Sequence, residues 1–300
     1  MRVALIHNPV AGSGDHSGDT LIDRLRAAGH DAVYASTEAE SLTAALNDEP
    51  DAVIAAGGDG TVAAVARLLA ASGRDIPLAV LPMGTANNIA RSIGVPDDEA
   101  EMVRSLATAH RRRFDVGIVR APWGDSRFVE SAGIGLFAGL LRDALRDEQA
   151  GVVHTPNPRN RGIRLAKRMS TTRGRECTVV ADGEDLSGSY LMAVVLNVSS
   201  IGPALVLAPQ ADAGDGVLDL LLVREDDRAA LGAYIESIAR GDEQPLVIPT
   251  HRVTTVLLDW SSADGHIDDR IWPELSENEV ASALVEIGIA DRPLQVLVPA

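Results

Sequence analysis

Three glycine-rich loops, each directly behind a short apolar run, constrain this chain more than any other feature of its sequence. The first is Asn8-Pro-Val-Ala-Gly12-Ser-Gly14, behind residues 3–6. The second is Gly57-Gly58-Asp59-Gly60-Thr61, behind 52–56. The third is Pro82-Met-Gly84-Thr85-Ala-Asn87-Asn88, behind 78–81. Residues 32–35 also read as a strand, and apolar residues recur at helical spacing over 20–28, 62–71 and 86–93. Strands alternating with helices predict βαβ units and a parallel sheet. In such a sheet, loops at the carboxyl ends of strands are where ligands bind. Glycine lets a backbone approach phosphate closely, and a following helix presents its N–H groups to the anion. Asp59 beside phosphate suggests metal-linked charge balance. Any one of these loops alone reads as a strand-to-helix turn. Three at successive strand exits point to a phosphate site. Neither of the first two fits the P-loop or the dinucleotide pattern. Lysine occurs once in the chain, at Lys167, so a nucleotide site here works without a P-loop lysine.

The pattern changes near Arg113. Strand-like runs follow at 114–119, 127–130, 177–181, 190–197, 217–223, 253–259, 284–289 and 294–298, most of them separated by turn signals. Many strands and few helices predict an antiparallel β domain. Asp182-Gly183 between two alternating runs signals a hairpin. Helical insertions are expected at 136–148 and 227–238. The expected fold class is therefore α/β plus β. A three-layer α/β domain with a parallel sheet would span 1–118, and an antiparallel β-sandwich 119–292. Residues 293–300 are expected to form a closing strand, for which periodicity leaves a return to the first domain open. No repeat or low-complexity tract is evident.

Composition narrows the function classes. The chain has 27 basic and 43 acidic residues, a formal net charge of −16. That sign disfavours nucleic acid, whose phosphates need clustered Lys and Arg. Cys177 is the single cysteine, which excludes an internal disulfide and a thiolate zinc cluster. No apolar run reaches the roughly 18 residues of a membrane-spanning helix, and the first residues turn polar too soon for a signal peptide. The expectation is a cytoplasmic protein.

The loop set resembles the diacylglycerol kinase catalytic-domain family, which includes bacterial lipid kinases and sphingosine and ceramide kinases. The motifs carrying the resemblance are Asn-Pro-x-x-Gly-x-Gly, Gly57-Gly-Asp-Gly-Thr61 and Pro-x-Gly-Thr-x-Asn, in that order. Downstream, Phe128-Val-Glu-Ser-Ala-Gly-Ile-Gly135 and Asn197, followed by Pro203 and the stretch from Ala208 to Asp219, continue it. The Gly-Gly-Asp-Gly-Thr motif alone is shared with NAD kinases and loosely with phosphofructokinases. The resemblance implies phosphoryl transfer from ATP to a lipid hydroxyl such as that of diacylglycerol or a sphingoid base, in a cleft between the domains. It implies that Asn8, Gly12, Gly14, Gly57, Gly58, Asp59, Gly60, Thr61, Gly84, Thr85 and Asn87 line the nucleotide site. In that reading Thr61 caps the following helix and offers its hydroxyl near phosphate. It further implies a structural Mg2+ at Asp212, Asp215 and Asp219; the alternative for these aspartates is a plain acidic turn. The family's general base is the Asp of a late Asp-Gly-Glu. Asp182-Gly-Glu184 matches in letters but lies too early, so it reads as a turn. Asp268 in Asp268-Asp269-Arg270 matches by order. There the Gly and Glu are replaced by Asp and Arg, and Arg270 would tend to make Asp268 a weaker base. Asn88 stands where many of these kinases have Asp. Two alternatives stay open: an NAD kinase-like small-molecule kinase, and a catalytically weakened nucleotide-binding regulator.

Residues 159–175 hold seven basic residues and no acidic one, against the sign of the whole chain. Such a segment can make a peripheral contact with an anionic membrane. The competing reading is a solvated loop and helix whose Arg residues pair with nearby carboxylates. His7, His154, His251 and His266 show no ligand spacing. Trp123, Trp260 and Trp272 read as packing residues. The oligomeric state is open, a homodimer included.

Overall fold

The computed structural model describes residues 1–9, 17–36, 39–152, 157–202, 205–242, 244–261, 264–274 and 281–300. In chain order the first elements are β1 (Arg2–His7), α1 (Gly18–Ala27), β2 (Asp31–Ser36), α2 (Ala39–Asn47), β3 (Ala52–Gly57), α3 (Asp59–Ser72), β4 (Leu78–Pro82), α4 (Asn88–Ser92), α5 (Glu99–Ser105) and β5 (His110–Phe114). Then come β6 (Gly117–Ala121), β7 (Gly124–Phe128), β8 (Ser131–Gly135), α6 (Leu136–Gln149), α7 (Pro158–Thr171), β9 (Arg175–Cys177), β10 (Val179–Ala181), β11 (Glu184–Asp185) and β12 (Gly188–Leu196). The chain continues with β13 (Ser200–Ile201), β14 (Leu205–Val206), β15 (Leu218–Arg224), α8 (Arg228–Arg240), β16 (Thr250–Val253), β17 (Thr255–Ser261), β18 (Gly265–Ile267), β19 (Arg270–Ile271), β20 (Ser282–Ile289) and β21 (Leu294–Val298).

Contacts divide the chain into two compact units. The first holds Met1–Val116, Asp212–Asp215 and Ala290–Ala300; the second holds Gly117–Ala211 and Gly216–Ile289. The first unit is built on one sheet, ordered β2-β1-β3-β4-β21-β5. Its strands run parallel except β5, which pairs antiparallel with β21. The central strands β3 and β4 are buried at every position, as expected of strands covered on both faces. Ser17 starts α1 by accepting from Thr20 N (3.2 Å), and Asp98 starts α5 by accepting from Glu101 N (3.1 Å). The helices α2 and α5 have no counterpart in the sequence expectations. In α5 only Met102 and Val103 are buried, too short a stripe to register as a period.

The second unit is an antiparallel sandwich. One sheet runs β11-β10-β17-β20-β6-β7, the other β16-β15-β12-β8-β18-β19, with β9 also on β12. Phe128, Trp260 and Val285 from the first sheet and Ala193, Val195 and Leu220 from the second share one buried core. The Trp260 indole donates to Trp272 O (2.9 Å), and the Trp272 ring packs against both Trp260 and Trp123. Two expected strands split for visible reasons. The run 114–119 breaks at the fully buried Asp115, whose N–H donates to Ala213 O and whose carboxylate binds Arg113 Nε (2.7 Å). The run 253–259 breaks at Thr254, whose N–H turns to Asp182. Asp182 and Gly183, with φ of 47° and 88°, close the β10–β11 hairpin in the left-handed region, as a two-residue primed turn requires.

Candidate active site

In the first unit, β1, β3 and β4 are neighbours, so the loops behind them meet. Asn8 hangs on β3 through its N–H to Ala56 O (3.1 Å), and its Nδ2 reaches Thr61 Oγ1 (3.4 Å). Helix α3 begins behind Gly58, an N-cap with extended backbone and no side chain to satisfy the first-turn amides. Thr61 is therefore inside the first turn and not the cap. The helix starts at Asp59, earlier than its apolar period indicates, because the Gly57-Gly58 pair supplies the cap conformation. Asp59 does not stand idle beside the loop: its Oδ1 accepts from Ile89 N (3.0 Å), tying α3 to α4.

The glycines are held by contact. A Cβ on Gly84 would lie 2.5 Å from Gly58 Cα, and one on Gly57 would lie 2.5 Å from Thr61 Oγ1. Backbone thus meets backbone between the second and third loops. Met83 N donates to Gly57 O (2.9 Å), and Asn87 Oδ1 accepts from Gly84 N (2.9 Å). Asn87 itself is left-handed, φ 50°, which delays α4 to Asn88. Thr85 is exposed between them, whereas Asn87 and Asn88 are buried. The structure therefore gathers Asn8, Gly57, Gly58, Asp59, Gly60, Thr61, Gly84, Thr85 and Asn87. Gly12 and Gly14 lie outside the described residues, as do Pro203 and His154. A glycine-lined backbone floor in front of a helix N-terminus fits a phosphate chain.

In the second unit, Asp268 occupies the turn between β18 and β19, with φ 50° and 1% exposure. Its Oδ1 accepts from the amides of Val129 (3.0 Å), Glu130 (2.9 Å) and Ser131 (3.4 Å), and its own N–H donates to Ser131 O (2.8 Å). The sequence predicts a strand over 127–130; Arg127 and Phe128 do end β7, and the chain turns a corner at 129–130 before β8. Asn197, also 1% exposed, fixes that corner by donating its N–H to Glu130 O (2.9 Å) and its Nδ2 to Val129 O (3.0 Å). In the sequence Asn197 is visible only as part of a motif. Nothing in its spacing shows that it buttresses a carboxylate far along the chain, since the link runs through backbone. Arg270 Nη2 donates to Ser126 Oγ (2.8 Å). His266 is fully buried against Phe137 and Ser131 Oγ (3.2 Å), and burial pushes its pKa down to about 3. It is a neutral packing residue and not a base at neutral pH.

The same unit contains an apolar pocket under its helices, lined among others by Leu136, Phe137, Leu165, Met192, Leu231 and Tyr234. Burial raises the Tyr234 hydroxyl to about 12.

The aspartates of the expected magnesium site are differently employed. Asp212 accepts from Arg112 Nη2 (2.6 Å) and Gly214 N (3.0 Å); Asp219 is buried in β15 and accepts from Thr250 Oγ1 (2.8 Å). Asp212 and Asp215 belong to the first unit and Asp219 to the second. Among the described residues no three His, Cys, Asp or Glu side chains gather as metal donors. Asp212, Asp215 and Asp219 are among the side chains that do not gather into such a group.

Two family models match this chain. The diacylglycerol kinase catalytic domain matches residues 2–119, and the YegS C-terminal NAD kinase beta sandwich-like domain matches residues 148–268. Both matches support a likeness to the diacylglycerol kinase catalytic-domain family. A diacylglycerol kinase of Mycobacterium tuberculosis is 28% identical over 272 residues, 85% of this chain and 84% of the relative. One from Bacillus subtilis is 26% identical over 250 residues, 80% of each. A solved diacylglycerol kinase from Bacillus anthracis shares the fold at TM-score 0.70 and 20% identity, over 99% of this chain and 96% of that one. Likeness to this lipid kinase family supports a kinase in the broad sense, and kinases of any kind use a nucleotide.

Proposed function

We propose that this protein transfers the terminal phosphoryl group of ATP to a lipid hydroxyl. The observation that carries the reading is the backbone contact of Gly58 with Gly84 in front of α3, a floor that a Cβ on Gly84 would break. The triphosphate lies along it, with Asn8, Thr61 and Asn87 shaping the walls. Magnesium arrives on the nucleotide as part of the substrate, and no step of the transfer is routed through a protein-bound cation. Asp268 takes the proton of the acceptor hydroxyl as its oxygen attacks the γ-phosphorus and the bond to ADP breaks. Three amides and a buried setting fix that carboxylate's orientation. Phosphoryl transfer depends mostly on positioning and charge neutralisation, so one fixed carboxylate suffices. The apolar pocket suits an acyl chain of the acceptor, diacylglycerol or a sphingoid base.

The test is a radiolabelled-ATP assay against mixed lipid extract, with nucleotide binding measured alongside. A labelled lipid that disappears with Asp268→Asn supports the kinase. Nucleotide binding with no labelled lipid supports a regulator instead, a reading favoured by Arg270 in place of the family's Glu.

A further inference from the structure

Three consecutive amides converge on Asp268 Oδ1, those of Val129 (3.0 Å), Glu130 (2.9 Å) and Ser131 (3.4 Å). Along a strand successive N–H groups point to opposite sides, so the corner at 129–131 has to be held out of strand geometry. An N–H lies in one plane with the carbonyl of the residue before it. The Glu130 N–H therefore turns with Val129 O, and the Ser131 N–H turns with Glu130 O. Those two carbonyls are the ones that Asn197 binds. Its Nδ2 donates to Val129 O (3.0 Å), and its N–H donates to Glu130 O (2.9 Å). Asn197 can reach both because it follows Leu196, which pairs with Ser131 across β12 and β8. Asp268 closes the corner from its own side by donating its N–H to Ser131 O (2.8 Å). Val129, Glu130, Ser131, Asn197 and Asp268 are all buried, so bulk water does not compete for these groups.

We infer that Asn197 is a positioning residue for the transfer, acting on Asp268 through the two peptide planes between them. The inference rests on the reading of Asp268 as the base. A carbonyl that accepts a hydrogen bond makes the N–H of its own peptide a stronger donor, so the grip of Asn197 tightens the amides on the carboxylate. Amides that bind the charged form favour it over the protonated one. Fixing Oδ1 also fixes where Oδ2 stands, and proton transfer depends on that placement. The N–H of residue 197 survives any substitution except proline, so the side chain is the part a variant can test. Alanine takes a donor away from the buried Val129 carbonyl, and aspartate turns an acceptor toward it.

The experiment follows kcat against pH, with lipid acceptor and ATP, for the wild type, Asn197→Ala, the size-matched Asn197→Asp and the control Ser187→Ala. Ser187 Oγ accepts from the buried Val179 N (3.1 Å) in the same unit, so the control also loses a bond between side chain and backbone. Both Asn197 variants should lose about 10–100-fold in kcat with the KM for ATP unchanged. Their acid limb should move up by about one pH unit, and further in Asn197→Asp, whose charge adds to that of Asp268. The control should keep the wild-type limb. A limb that stays in place, whatever the loss of rate, would reduce Asn197 to a structural role and overturn the inference. An equal shift in the control would do the same. Urea unfolding of the wild type, Asn197→Ala, Asp268→Asn and the double variant reads the link without turnover, with Asn197→Asp used should Asn197→Ala not fold. Non-additive losses are expected, because the two residues share two peptides, and additive losses would overturn the link. A wild type that phosphorylates no lipid, or an Asp268→Asn that still does, would instead break the kinase reading. The urea cycle would then decide by itself whether Asn197 orients Asp268.

Discussion

The two units hold their candidate chemistry by opposite means. In the first unit the Gly57–Thr61 and Gly84–Asn87 loops work by lacking side chains: Gly58 and Gly84 touch, and any Cβ there meets backbone. In the second unit the proposed base is a side chain, Asp268, and backbone serves it through the amides of 129–131. A site made of glycine is broken by adding atoms, whereas one made of a held carboxylate is broken by changing one oxygen. The first failure shows in binding and the second in turnover.

The largest expected effect is therefore at Asp268. Asp268→Asn keeps an Oδ1 that can accept from the same three amides, so the turn should survive. Losing the base should lower kcat by about 10²–10⁴-fold with nucleotide affinity unchanged. Steady-state kinetics with lipid acceptor beside nucleotide titration checks the split. A fall in nucleotide affinity of similar size would erase the contrast between the units.

Next are the glycines. Gly84→Ala puts a Cβ 2.5 Å from Gly58 Cα, whereas Gly58→Ala places one at 3.3 Å from Gly84 Cα. The first contact forces the loops apart and the second asks for a few tenths of an ångström. Overpacking costs about 1–3 kcal/mol, so Gly84→Ala should weaken nucleotide binding about tenfold or more, and Gly58→Ala less. Calorimetric titration of both variants would settle the order, and a reversed order would count against backbone contact as the shaping force.

Behind Asp268, His266 makes the second unit sensitive to acid. Burial lowers its folded pKa to about 3, against about 6.5 unfolded. The unfolded chain binds more protons between those values, so stability is full above pH 6.5 and falls as pH drops toward 3. The loss should reach a few kcal/mol, and His266→Gln should flatten it. Urea unfolding at pH 7 and pH 5, followed by tryptophan fluorescence, reads the difference. Parallel curves for the two proteins would exclude His266 as the source.

The contrast between the units also explains what is legible in the sequence. The glycine-rich loops are contiguous and sit behind the strands that place them, so local spacing locates Asn8, Gly57, Gly58 and Gly84. The start of α3 escapes the apolar period because its cap is a glycine with no signal of its own. Motif order finds Asp268 but not what holds it, since Val129, Asn197 and Asp268 meet only through the pairing of β8 with β12 and β18. Long-range pairing leaves no local period. Likewise the seven charges of 159–175 look equivalent along the chain. They separate only when Asp143 and Asp147 come alongside α7.

The smallest effect concerns Asp182, the aspartate whose Asp-Gly-Glu context imitates the family's base. Its carboxylate accepts from Thr254 Oγ1 (2.7 Å), Thr254 N and Thr255 N (2.8 Å), and the Thr254 hydroxyl first, then those amides, hold its pKa below the usual carboxylate range. With the folded pKa depressed, its contribution is complete above the unfolded value near 3.9 and is lost as pH falls through the lower folded value. The group is exposed, so solvent screening keeps the contribution under about 1 kcal/mol. Asp182→Asn should therefore leave turnover intact and trim stability slightly at neutral pH, with the difference from wild type shrinking below about pH 4. Loss of lipid phosphorylation in this variant, with Asp268→Asn active, would move the base from the β18–β19 turn to the β10–β11 hairpin.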